Sequence, residues 1–178
     1  LLDSLPVEGT HRDVSYLTYQ MTYFALQAID ALGMKTPYSL RFMDRFSSAK
    51  AITVWLEDLD WSNAWLQSDK IMFVLAFLIY RAEVEQDRSA AALFHSVLKG
   101  LDLGQNAKTG LWGTHQGASL VNTVAAAYRL IPFYMYVHRP VIRATRIIDV
   151  ILASLQLPDG PFAGSIRGGA CEGLAAID

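Results

Sequence analysis

The sequence predicts an all-α fold of helical hairpins, with one helix of each pair inside and the next outside. Three observations predict it. Apolar residues recur at helical spacing along most of the chain, and no convincing alternating stretch reads as a strand. Helices that are apolar almost all round alternate with helices that carry a polar face. The apolar ones start near His11, Asn63, Ser119 and Cys171, about 52 to 56 residues apart, and such a fixed period marks a repeat architecture.

The elements follow in order. Val14, Leu17, Met21, Phe24, Ala28 and Leu32 fall on one face of a first helix, which Gly33 stops. Pro37 sits where a second helix begins, and that helix runs to about Leu59. Ser62 or Asn63 caps a third, which passes through an apolar run and ends at about Glu85. Ser89 caps a fourth, ending near Gly104. Ser119 starts a fifth, and Pro140 a sixth that ends near Gln156. Pro158, Asp159 and Gly160 form a turn, and residues 171–178 read as the first two turns of a seventh helix. The first, third and fifth are expected to be buried on most sides. The second, fourth and sixth are expected to face solvent along Arg41, Asp44 and Arg45, along Ser96 and Lys99, and along Arg143, Arg146 and Asp149.

Composition narrows the function classes. The 178 residues are 52% apolar and 18% charged, enough for one domain with a large core. A net charge of −2, with no basic block, lacks the electrostatic footprint that nucleic acid requires. The longest unbroken apolar run, residues 71–80, is too short to cross a bilayer as a helix. Cys171 is the sole cysteine, so no internal disulfide forms. No signal peptide is visible, and a cytoplasmic location is expected.

Two internal echoes support the period. "GTHRDVS" begins at Gly9 and "GTHQGAS" at Gly113, each opening an apolar stretch. The outer helices echo too. "LKGLDLGQNAKTGLWG" and "IDVILASLQLPDGPFAG" align Leu101 with Leu152, Gln105 with Gln156, Gly110 with Gly160 and Trp112 with Phe162. "WLEDLDW" is a weaker third copy, with Leu56 and Asp60 in the Leu and Gln places.

At these residues the chain resembles the α/α-toroid proteins of the terpenoid cyclase and protein prenyltransferase superfamily. Their repeat reads aromatic-Leu-x3-Gln-x3-Gly-x-Trp. Leu152, Gln156, Gly160 and Phe162 keep that spacing with Phe for Trp, and Leu101, Gln105, Gly110 and Trp112 keep the Trp with one extra residue. The Gln is suited to satisfying groups at the end of an outer helix, the Gly to a tight turn, and the aromatic ring to wedging between hairpins. The resemblance implies a partial α/α toroid of about three and a half hairpins, with a central cavity for an isoprenoid or carbohydrate-like ligand. A closed toroid has about six hairpins, so the chain is expected to be a section of a longer protein, or to cover its open edge with another copy. The superfamily's Asp-x-Asp-Asp and Asp-Asp-x-x-Asp motifs do not occur in the sequence, and Ser15 stands where the zinc-ligating cysteine of a prenyltransferase would be. The (α/α)6 glycosidases and polysaccharide lyases share the same general layout, and a non-catalytic binding or assembly scaffold is the remaining alternative.

In such a toroid the inner helices point one way, and their starts share one mouth. His11, Asp13, His115 and Glu172 are the candidate catalytic groups there. An imidazole titrates near neutrality, and a carboxylate pair facing one cavity serves as acid and base or stabilises a cation. The competing reading is helix capping and backbone hydrogen bonding. Tyr16, Trp65, Trp112, Asn63 and Asp69 are the candidate ligand contacts, the aromatic rings offering π faces to a sugar or a carbocation. Gap filling between hairpins is their alternative. Cys171 reads as a low-pKa thiol or as a buried structural residue. No close ligand pair such as C-x-x-C or H-x-x-x-H occurs, so neither a metal nor a cofactor is expected.

Overall fold

The computed structural model describes residues 14–154, and among them there is no strand. The chain divides into two units, Leu1–Tyr38 and Ser39–Asp178. In the first, α1 spans Val14–Ala31. It ends as predicted: Gly33 takes a positive φ of 68°, and the Gly33 and Met34 amides donate back to the Asp30 and Ile29 carbonyls. The expected all-round burial of this helix does not extend to Leu17, Met21 and Phe24, which are exposed.

The second unit holds α2 (Ala49–Glu57), α3 (Ala64–Glu83), α4 (Arg88–Gly104), α5 (Leu120–Tyr136) and α6 (Ala144–Ser154). Local chemistry explains most of their starts. The Asn63 Oδ1 accepts from the Leu66 amide and caps α3, and the Ser119 Oγ accepts from the Asn122 amide and caps α5. Three boundaries differ from the sequence reading. The long second helix is instead a 3-10 segment, Arg41–Phe46, followed by α2. Ser48 breaks it by taking extended backbone and capping the Ala51 amide at 3.2 Å. The cap of α4 is Asp87, not Ser89, because the Asp87 carboxylate accepts from both the amide and the hydroxyl of Ser89. Pro140 precedes a turn rather than a helix, and α6 begins at Ala144.

α3 is the centre of this unit. Ile71, Phe73, Val74, Leu75, Phe77 and Leu78 are all buried on it, and each is worth about 1.5–3 kcal/mol relative to exposure. It packs against α4 on one flank and α5 on the other, while α2 packs on α4. The helices expected inside, α3 and α5, are therefore neighbours, as are two of those expected outside. Gly100 of α4 allows the second contact, since a Cβ there would collide with Leu56 of α2.

α3 and α5 run parallel. At their starts, the 3-10 turn Trp61–Asn63 packs on the 3-10 turn Thr114–Gln116. A Cβ at Gly113 would lie 2.8 Å from both the Ala64 Cβ and the Trp61 carbonyl oxygen, and the residue sits at a φ of 87°. Glycine is required there on both counts. Midway, Arg129 of α5 pairs with Asp69 of α3. At their ends, the Tyr136 hydroxyl donates to the Glu83 carboxylate. The second "GTH" thus marks the close approach of two helix starts; the first, at residues 9–11, lies outside the described residues.

The repeat motif acts as a staple. The Trp112 ring is fully buried, and its indole N–H donates to the Leu101 carbonyl at 2.8 Å. Gly110 takes a φ of 74°, and a Cβ there would meet the Arg143 carbonyl at 2.7 Å and Ile147 at 2.8 Å. Gln105 ends α4, is buried, and accepts from the Arg143 guanidinium at 3.5 Å. These residues join the end of α4 to the start of α6. Asp60, in the Gln place of the third copy, caps its own turn by accepting from the Ser62 amide at 3.0 Å. Gln156, Gly160 and Phe162 of the second copy lie outside the described residues.

Candidate functional site

The shared start of α3 and α5 gathers several of the sequence-predicted residues. Asn63 and His115 are exposed on the two turns that pack together there. Asn63 spends its side-chain oxygen on the cap of α3. His115 lies between Gly113 and Gly117, both left-handed; its turn is packed closely on the Gly113 side, while Gly117 faces open space. Trp65, the second residue of α3, is half-buried, and the Arg129 guanidinium lies over its ring at 4.2 Å. Such a stacked cation is worth about 0.5–2 kcal/mol. The same guanidinium donates from Nε to the Asp69 carboxylate and from Nη1 to the Ala125 carbonyl, the latter at 3.0 Å. The side chains of Arg129 and Asp69 are only 14% and 9% exposed, so each neutralises a charge that would otherwise be stranded. Arg129 is thereby fixed in position between a carboxylate, a carbonyl and an indole.

Arg129 was not among the sequence-predicted site residues. Its signal was present: it is the one charged residue in residues 120–137, as Asp69 is the one acid in residues 61–82. A buried acid and a buried base on neighbouring, mostly apolar helices favour pairing, because neither tolerates burial alone.

The remaining candidates fall elsewhere. Trp112 is stapled into the core and offers no surface to an open mouth. Tyr16 is on α1, in the first unit. His11, Asp13, Cys171 and Glu172 lie outside the described residues. No group of three or more His, Cys, Asp or Glu among the described residues is arranged to hold a metal ion. No described helix is long and apolar enough to cross a membrane.

A second polar cluster lies between α4 and α5. The Tyr134 hydroxyl donates to Asp102 Oδ1 at 2.9 Å, and Arg139 donates to Oδ2 of the same carboxylate. Burial, followed by the hydrogen bond and charge of Asp102, pushes the Tyr134 phenol well above its ordinary value. A third cluster ends α3: Arg81 faces Asp44, Glu85 and Asp87, and Glu85 accepts from the Leu40 amide at 3.0 Å. Both clusters satisfy helix ends and connections, and neither borders the Trp65–Arg129 pair in sequence or by hydrogen bond. Comparison of the chain with known families, characterised proteins and solved structures returns no match.

Proposed function

We propose that the chain is a section of an α/α toroid of the terpenoid cyclase and prenyltransferase type, and that it binds a small isoprenoid or carbohydrate-like ligand where its inner helices begin. The observation that carries this reading is the parallel packing of α3 and α5, with Gly113 bringing their starts into direct contact. Side-by-side packing of alternate helices, α3 with α5 and α2 with α4, is what consecutive hairpins curving about one axis produce. The Gly110 turn and the buried Trp112 ring add support, because they take the tight-turn and wedge places that the resemblance implies.

At this end the described residues suit binding. Trp65 supplies an aromatic surface held rigid by Arg129, and rigid aromatics flanked by a few polar groups are the usual lining of small-molecule sites. Asp69 holds the Arg129 guanidinium in place beside the ring. Among the described residues, His115 is the one catalytic candidate at this rim, and it stands on an exposed turn.

Calorimetric titration with farnesyl diphosphate and, separately, with cellohexaose tests the reading. Saturable binding of either probe, weakened roughly tenfold or more by Trp65→Ala with the far-UV circular dichroism unchanged, is expected. Failure of both probes to bind, or binding indifferent to Trp65, would contradict it.

A further inference from the structure

Helix α2 is charged against its own dipole. Its first turn carries Lys50 and no acid, its last turn carries Glu57 and no base, and Asp58 follows as the C-cap. Helix starts favour acids and helix ends favour bases, so this order works against α2 alone. Lys50, Glu57 and Asp58 enter no ion pair among the described residues. The helix also has two apolar edges. Leu56 meets Gly100 of α4 on one edge. On the other, Ala51, Val54 and Trp55 line an open groove of about 450 Å³, bounded by Phe46 with the Arg45 guanidinium over its ring at 4.7 Å, and with Ser48, Lys50 and Asp58 along it. Trp55 and Phe46 meet edge to face with centroids 4.9 Å apart, which makes the groove wall firm. Val54 remains 48% exposed in it.

From the order of charges and this second edge we infer that the groove docks a partner α-helix lying parallel to α2, acidic in its first turn and basic in its last. A helix that obeys its own dipole has that charge order. Laid parallel, its acids meet Lys50 and its bases meet Glu57 and Asp58. Laid antiparallel, it would bring like charges together. α4 already occupies the opposite edge of α2, so the docked helix extends the same side-by-side packing. The nine residues of α2 span roughly 13 Å, which takes about two turns of partner and an apolar stripe at helical spacing. This inference does not depend on the ligand proposed above.

Two labelled peptides of about sixteen residues test it on the full chain by fluorescence anisotropy. Both carry the same leucine stripe in a capped helix; one has Glu followed about eight residues later by Lys, the spacing of Lys50 and Asp58, and the other has the charges exchanged. The acid-first peptide is expected to bind roughly tenfold tighter or better. The double variant Lys50→Glu with Asp58→Lys should invert that preference without loss of helix by circular dichroism, and Val54→Asp should weaken both peptides. Equal affinity for the two peptides, or no saturable binding of either, overturns the inference. So does self-association of the chain, seen by sedimentation and abolished by Val54→Asp, since the occupant would then be a second copy.

Discussion

The internal repeat gives α4 and α6 a leucine at the same place, yet the two meet opposite surroundings. Leu101 of α4 is 1% exposed and Leu152 of α6 is 54% exposed. The period pairs Val97 with Ile148 in the same way, one fully buried and the other exposed. Both segments form helices, because helix formation follows from local propensity and spacing. Burial comes from neighbours: α4 has α2 and α3 against it, and α5 reaches it through Tyr134, Phe133 and Tyr136. α6 is held chiefly through Ile147, over the Gly110 turn. A repeat therefore specifies its element locally and its stability only in company.

The largest effect that sharpens this contrast is expected at Leu101. Leu101→Ala should cost about 2–5 kcal/mol in urea unfolding, the range for a leucine removed from a closed core. An effect below about 1 kcal/mol there would erase the distinction between the two helices. Gly110→Ala comes next, at about 1–3 kcal/mol, because it combines a left-handed backbone with a collision against Arg143 and Ile147. Its hydrogen-exchange signature should be loosened protection in α6 ahead of α4.

Tyr134→Phe should cost about 1–2 kcal/mol at neutral pH by removing the donor to Asp102. It also tests a pH dependence. The folded phenol ionises above the unfolded one, so its contribution is intact below about pH 10 and falls as pH rises beyond that value. The alkaline decline of the urea midpoint should be shallower in the variant. Smallest of all is Leu152→Ala, expected within about 0.5 kcal/mol as an exposed substitution.

Much of this was legible where the physics is local. Asn63 and Ser119 were readable as caps because a side-chain oxygen before an apolar run has one obvious use. Ser89 was not separable from Asp87, two residues earlier, since both can cap and only the geometry shows which oxygen accepts. The Ser48 cap interrupts a stretch whose apolar spacing reads as one continuous helix. The staple at Leu101, Gly110 and Trp112 was legible from its motif. Its placement of Trp112 inside the core, away from any mouth, was not, because the motif gives spacing and no direction. The Asp69–Arg129 pair links residues far apart in sequence, and periodicity treats each of them as an interruption rather than a partner. Exposure of Leu17, Met21 and Phe24 on α1 is likewise nonlocal: helical spacing defines a face and does not say what covers it.

Spin-label distances test the parallel arrangement of α3 and α5 most directly. With Cys171 replaced by serine, labels at Asn63 and His115 report the two starts, and labels at Asn63 and His138 report a start against the far end of the neighbour. Parallel helices give roughly 10–20 Å for the first pair, the spacing of packed helices plus label arms, and roughly 30 Å for the second, the length of α3. A long first distance with a short second one would place the two helices antiparallel and remove the shared rim.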